Sequence, residues 1–463
     1  MARRRRWTTK KRRRARRKAE AALRERRRVI EGSRDRQDSG YAGMVPIVQF
    51  CGDTLKIPEE LAEALKMKKG RTAVYTPVDE GMAYLGCQMA GIVRLNHLDR
   101  LLPEGALAEA LGIPQWMSEN TEQRFLKRAT EESLQGIDEL IQRRIEEEEL
   151  CWSRGWIEVD GDVTGVPQRA RKREGVRPGY CGGKVVPCYQ QPRVTVNGLV
   201  WWTDLRPGDD GCVDLFDRTR QTALKLAQKH ADQQVVYRLD GYFSSKENLR
   251  QSASEDQPRN LHFLLAIHAT RMKAGLWKEL TTKARGAWKR MNATTEIKEL
   301  GLVRPWEEAP AVRAVAVRRE KRDSKKRRRR GPREWDLEYL IVTDLPRPKM
   351  GTREVFRRYH QRQREEFSFK DGKQSLATAK MPTQSLMANR MHVKLVGLAQ
   401  VILRLFAEKF LPPRDGYGPT CKTIREKVIA VGGKNQHRAG SDRAGADVLR
   451  VPLAAAHGGP GAR

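Results

Sequence analysis

The spacing of apolar residues switches from helical to extended near residue 152 and returns to helical near residue 353, which divides the chain into three stretches. Upstream of the first switch, LKIPEELAEALKMKK at 55–69 and the stretch 104–112 read as helices, with Pro58 and Pro103 near their starts. A third helix opens at Ser118-Glu-Asn-Thr-Glu-Gln, capped by Asn120 or Thr121, and runs through RFLKRATEESLQGIDELIQRRIEEEEL. No strand pattern interrupts them, so this part is an all-helical block of about 100 residues.

From residue 152 the pattern is short, β-branched and aromatic, broken by Pro and Gly: WSRGWIEVDGDVTG, GGKVVPCYQ and RVTVNGLVWWTDL are three consecutive antiparallel strands. A helix over 212–231, the apolar run VVYRLDG ending at Asp240, and a helix near 245–251 follow. The order β-β-β-α-β-α predicts a ribonuclease-H-like core. The segment 258–345 interrupts that core with the strands HFLLAIHAT, AVRAVAVRR and DLEYLIVTD, the last two pairing across a basic connection. Helical spacing resumes over 353–370 and 385–408, and KVIAV and DVLRVPL, around Gly432 and Gly433, form a small hairpin before a Gly/Ala-rich tail.

The expected fold class is therefore α/β: a ribonuclease-H-like core with a β-rich insertion, preceded by an all-helical block. The expected organisation is a basic arm at 1–45, with 18 Lys or Arg in its first 40 residues and disordered until a DNA backbone orders it, and a helical domain at 46–150 that such an arm suits to reading a DNA end. The core occupies 151–257 and 346–410, the insertion 258–345 with a basic loop at 318–333, and a hairpin and tail 411–463.

Charge sharpens this picture. The chain carries 91 Lys or Arg against 58 Asp or Glu, and two runs, 1–40 and 318–333, hold 22 of the 33 excess positive charges. Concentrated cations suit a phosphate backbone, where each neutralised phosphate releases counterions; solvated tails or a localisation signal are the alternative reading. The second run includes Arg327, Arg328, Arg329 and Arg330, which are candidate DNA contacts. A hydrophobic fraction of 39% excludes full disorder. No apolar run reaches the roughly 18 residues of a membrane span, and no apolar stretch follows the N-terminal charges as in a secretion signal. The seven cysteines are odd in number and show no CxxC, consistent with reduced thiols in a cytoplasmic, nucleoid-associated protein.

Three carboxylates occupy meaningful places: Asp162 at the end of the first core strand, Asp240 at the end of the fourth, and Glu366 on a later helix. The ends of strands one and four are neighbours in a ribonuclease-H-like sheet, so residues far apart in sequence converge. With a helix-borne third, they make an oxygen cage suited to two magnesium ions, for which manganese can substitute. Asp160 lies on the same side of its strand as Asp162, and the Asp162-x-Thr164 spacing favours the latter. Tyr359, Arg362, Glu366 and Lys373 follow steps of three, four and seven, which return to one helix face. Glu365 is the neighbouring decoy, the eight histidines offer no ligand pair, and GYCGGK is a turn rather than a phosphate-binding loop.

With that helix, with GDVTG, LRPGDDG and RLDGYFSSKENL, and with the closing SLMANRMHVKLVGLAQVIL, the chain resembles the DDE transposases of bacterial insertion sequences in the group marked by a Tyr-Arg-Glu-Lys helix. The resemblance covers roughly 118–452. It implies Asp162, Asp240 and Glu366 as catalytic metal ligands, with Tyr359, Arg362 and Lys373 on phosphates near the transposon end. It also implies that a tryptophan of the insertion stacks on a flipped base, with Trp288 the candidate and Trp277 and Trp306 nearby. The implied activity is cut-and-paste transposition: a homodimer binds terminal inverted repeats, cleaves them and joins them to target DNA. The competing readings are a non-catalytic or domesticated nucleic-acid binder and a stand-alone ribonuclease-H-like nuclease.

Overall fold

The computed structural model describes residues 28–32, 41–70, 73–92, 94–101, 107–108, 111–113, 116–148, 152, 155–170, 172–272, 275–284, 286–320, 335–411, 419–430 and 433–437. Most of the basic arm, most of 104–112, Arg327 to Arg330 and the segment DVLRVPL lie outside the described residues.

Thirteen strands are described. β1 (Arg28–Gly32) pairs only with β13 (Gly433–His437), in antiparallel register. β2 (Trp156–Pro167), β3 (Arg177–Cys181), β4 (Lys184–Val196), β5 (Leu199–Thr203), β6 (Arg206–Pro207), β7 (Gln234–Leu239), β8 (Leu261–His268), β9 (Lys289–Asn292), β10 (Thr295–Val303), β11 (Val312–Glu320) and β12 (Trp335–Thr343) form one mixed sheet of 11 strands. Its order is β3-β4-β2-β7-β8-β12-β11-β10-β9, with β5 and β6 also on β4. The fold is mixed α/β around this large sheet.

Two strand expectations change. GGKVVPCYQ and RVTV are one 13-residue strand, β4, which runs through Pro192 opposite Val163 without turning. Its ends reverse at Gly182-Gly183 and Asn197-Gly198, all at positive φ. The stretch 258–345 is also not a separate β unit. β8 pairs in parallel with β7, and β12 then pairs antiparallel with β8, so the inserted strands extend the main sheet. β11 and β12 do pair with each other as expected.

Helices cover the upstream region. The 118–150 pattern is two helices, Glu119–Lys127 and Glu131–Glu147, because Thr130 forms a reciprocal capping box with Ser133 that starts a new helix. The cap of the first is Ser118, whose Oγ accepts from the Thr121 N–H at 3.4 Å, rather than Asn120 or Thr121. The helix Pro77–Ala90, capped by Thr76, went unread because it is buried all round and so lacks a polar face. KVIAV is no strand either: Lys427 to Ile429 close a helical turn after Thr420 caps Cys421–Ile424.

The helical region does not stand apart as a domain with its own core. Its buried residues, such as Leu85 and Ile137, join Val159, Val194 and Leu395 in one continuous hydrophobic cluster. The 25-residue helix Leu386–Phe410 is the shared wall. Its buried Lys394 donates to Asp138 at 2.6 Å and to the Thr203 carbonyl at 2.9 Å, while His392 meets Tyr84 Oη at 2.7 Å. Gly136 lets the helix Glu131–Glu147 touch backbone, since a Cβ there would sit 2.2 Å from the Ala64 carbonyl oxygen.

Glu122 is 1% exposed and both its carboxylate oxygens lack a hydrogen-bond partner among the described residues; burial, then the Glu80 charge, holds its carboxyl well above the usual range. A raised folded pKa means that stability from this group is present at low pH and is lost as pH rises, because the unfolded chain ionises freely. Glu122→Gln is expected to flatten that loss, read as urea unfolding free energies at about pH 5 and about pH 8. An equal slope in both proteins would refute the assignment.

Among the described residues no helix is long and apolar enough to cross a membrane. Cys51, Cys87, Cys188, Cys212 and Cys421 are free and buried, and Cys181 is partly exposed.

Candidate active site

Alternation along β2 puts Glu158, Asp160, Asp162 and Thr164 on one face, while Gly161 points to the other. On that other face Thr219 packs so close that a Cβ on residue 161 would lie 2.3 Å from its hydroxyl. The residues of the acidic face have sharply different partners. Asp160 is buried and forms a two-pronged ion pair with Arg238, to Nε at 2.6 Å and Nη2 at 2.7 Å. The parallel register β2–β7 aligns the two residues directly. Arg238 also donates to Glu158 at 3.0 Å and to the backbone carbonyl of Arg358 at 2.6 Å, and Arg358 returns to Glu158 at 3.2 Å. A closed network of charges thus fastens the helix Thr352–His360 to β2 and β7, and Asp160 is spoken for.

Asp162, two residues on, is not. Among the described residues its Oδ1 accepts only from the adjacent Val163 N–H at 3.0 Å, and its Oδ2 lies 3.4 Å from Arg362 Nη1 without hydrogen-bond alignment. Burial pushes its carboxyl up to about 6, Arg362 opposes this, and the charges of Asp240 and Glu366 raise it further. Asp240 follows β7, and its Oδ1 caps the short turn Gly241–Phe243 by accepting from the Tyr242 N–H at 3.0 Å. Glu366 is exposed on the helix Gln363–Ser375. The three carboxylates therefore share one electrostatic neighbourhood, while among the described residues no three His, Cys, Asp or Glu side chains stand ready-made to hold a metal.

The expected continuous helix over 353–370 is two, Thr352–His360 and Gln363–Ser375, joined through Gln361 and Arg362. A tightened turn, Arg362 N–H to Tyr359 carbonyl at 3.1 Å, makes the joint. The step of three from Tyr359 to Arg362 survives it. Tyr359 is buried against Tyr339, with ring centroids 5.9 Å apart, and burial pushes its phenol up to about 12 against the pull of Arg362. Burial opposes the charge on Arg362, yet Asp162, Tyr359 and Asp240 hold its pKa above normal. Its buried Nη1 makes no hydrogen bond among the described residues, which leaves a donor aimed beside Asp162.

Lys373 reaches β2 from the far end of the second helix: its Nζ donates to Thr164 Oγ1 at 2.7 Å and to the Gly165 carbonyl at 3.0 Å. This gives the Asp162-x-Thr164 spacing a physical reason, since the threonine on the acid's face anchors the cation.

Three arginines escaped the sequence reading. Arg238 and Arg358 build the charge network; Arg193, the cross-strand partner of Asp162, is 1% exposed and donates to Ser368 at 3.0 Å while its guanidinium covers the Phe369 ring at 4.3 Å. Arginine inside apolar strands, as in VVYRLDG and RVTV, was the available signal.

Trp288 is placed elsewhere. It precedes β9, six strands from β2, or about 29 Å along the sheet at 4.8 Å per strand. Its ring is covered by Arg318 at 4.1 Å. Trp306 is tied closer, donating from Nε1 to the Arg271 carbonyl at 3.0 Å, and Arg271 lies over the Tyr242 ring at 5.8 Å. The side chain of Trp277 lies outside the described residues.

A family profile described as "Transposase DDE domain group 1" matches residues 30–441. No curated protein sequence matches. Six chains of known structure match. One is from the cryo-EM structure of a piggyBac transposase synaptic complex with hairpin DNA, with 11% identity, a TM-score of 0.41, and coverage of 86% of this chain and 81% of that one.

Proposed function

The chain belongs to the family of transposases with a group 1 DDE domain, and from that premise we propose that it binds terminal inverted repeats and performs magnesium-dependent strand cleavage and strand transfer with Asp162, Asp240 and Glu366 as the acids. The observation that carries the reading is the setting of Asp162, two residues beyond the Arg238-paired Asp160 on the same face of β2, with a carboxyl that burial raises and the nearby Asp240 and Glu366 charges raise further against Arg362. A hard divalent cation relieves that crowding, and carboxylate oxygens are the donors such ions take. The strand order β5-β4-β2-β7-β8 supports a ribonuclease-H-like core.

In this reading Asp162, Asp240 and Glu366 hold two magnesium ions, with manganese able to substitute. When bound, the ions polarise the scissile phosphate and lower the pKa of the attacking water or hydroxyl. The chain's own groups do the rest. Arg362 directs its unfilled Nη1 at a phosphate oxygen, and the Tyr359 phenol, kept protonated by burial, donates a hydrogen bond beside it. Lys373 sets β2 against the helix carrying Glu366. The basic arm and the run containing Arg327 to Arg330 add non-specific phosphate contacts, a homodimer brackets two ends, and the protein works in the cytoplasm on the nucleoid. Trp288 stacks on a flipped base in this reading, with Trp306, tied through Arg271 to the turn that Asp240 caps, as its neighbouring alternative.

The test is direct. Purified protein is expected to nick a duplex bearing the inverted repeat that borders its gene, but not a scrambled duplex, and EDTA is expected to stop nicking without abolishing binding. Binding with no metal-dependent cleavage would favour a non-catalytic binder. Cleavage indifferent to the repeat would favour a stand-alone nuclease.

A further inference from the structure

The ribbon β3–β4 remains unexplained by the acids, and its surface is unusual. Tyr180 and Val185 are direct cross-strand partners and so share a face; they are 68% and 70% exposed. Pro178 and Pro187, also partners, continue the same face. A strip of exposed apolar residues on a two-stranded ribbon is costly in water and marks a surface that is covered in use.

The ribbon is fixed rather than loose. Gly179 lies so close to the β6 turn that a Cβ would meet the Gly208 carbonyl oxygen at 1.8 Å, and Gln190 donates to the carbonyls of Tyr180 at 3.2 Å and Gly208 at 3.1 Å. The antiparallel registers of β2 with β4 and of β3 with β4 place Val185 and Tyr180 on the sheet face that carries Asp162. A Cβ at Gly165 would meet the Tyr180 carbonyl oxygen at 2.8 Å, and the Gly165 carbonyl holds Lys373. Gly165 is three residues beyond Asp162 on β2, which is about 10 Å of strand, or about three base pairs of B-form DNA.

We infer that this ribbon is a DNA wedge: Tyr180 and Val185 enter the duplex about three base pairs from the phosphate at Asp162 and unstack it, while the cations around the ribbon hold the backbone. Charge selects this occupant over another apolar protein surface. Residues 169–187 carry six Lys or Arg against one Glu, whose carboxylate is already engaged by the Leu386 N–H at 2.8 Å. The inference rests on the transposase reading, and supplies the device that would open the duplex at the acids.

The experiment uses the full chain and the repeat-bearing duplex, with 2-aminopurine placed at successive positions from the scissile phosphate and calcium replacing magnesium to block cutting. Wild type is expected to brighten the probe about three base pairs away and to leave distant probes dark. Tyr180→Ser with Val185→Ser is expected to abolish that signal and weaken binding about 10-fold, the loss of one base-stacking contact. Tyr180→Trp, which keeps a ring, is expected to retain it. Unchanged fluorescence and affinity in the double variant would overturn the wedge while wild-type cleavage leaves the transposase reading intact. An altered oligomeric state of the DNA-free double variant, with normal DNA behaviour, would overturn it in favour of a protein contact. Absence of repeat-specific binding by wild type would instead fail the underlying reading.

Discussion

Asp162→Asn is expected to lower strand cleavage by at least about 1,000-fold, corresponding to the several kcal/mol that metal charge stabilisation supplies, while repeat binding stays near wild type. The expectation follows from how little else occupies the side chain: one local backbone N–H and an unaligned guanidinium. Asparagine keeps the shape and the Val163 hydrogen bond but removes the charge a divalent ion needs. Asp160→Asn provides the contrast, because that carboxylate is consumed by Arg238 and its loss should appear mainly as instability. Cleavage rates measured under single-turnover conditions decide the matter. A rate for Asp162→Asn within about tenfold of wild type would remove Asp162 from the chemistry.

The largest expected effect on stability belongs to Arg238. Its side chain is fully buried, and it satisfies Asp160, Glu158 and a helix carbonyl at once. Arg238→Leu strands the buried Asp160 carboxylate and takes one cation from Glu158, which keeps Arg358, and breaking a buried pair in this way costs about 3–5 kcal/mol in comparable sites. Urea denaturation should show that loss, and adding Asp160→Asn and Glu158→Gln should recover much of it because the stranded charges are gone. A loss under about 1 kcal/mol would mean that water reaches the network. The same variant is expected to slow cleavage, since the Arg358 carbonyl positions the turn that presents Tyr359 and Arg362.

These two residues show where sequence reading reached its limit. Asp162 could be singled out because its neighbours in the chain, GDVTG, carry the signal, and the helical step from Tyr359 to Arg362 is likewise local. Arg238 sits 78 residues from Asp160, and nothing along the chain announces that strands β2 and β7 lie side by side in that register. The same limit explains the strand Leu261–His268. As a run of apolar residues it reads as a strand, yet its place beside β7 rather than in a separate insertion depends on which edge was free. The helix Pro77–Ala90 failed for the opposite reason: burial on every side erased the periodicity that reveals a helix.

Local patterning by itself determined the alternation of elements, the glycine turns at Gly182-Gly183 and Asn197-Gly198, the cationic runs and the order of the three acids, since each depends on residues a few positions apart. The tertiary structure alone decided that Asp160 is neutralised while Asp162 is left crowded, that the helical region shares its core with the sheet, and that the ribbon bearing Tyr180 packs against Gly165 of β2. The physical reason is that strand pairing and burial set each charge's solvent and partners, and those neighbours come from parts of the chain far apart in sequence.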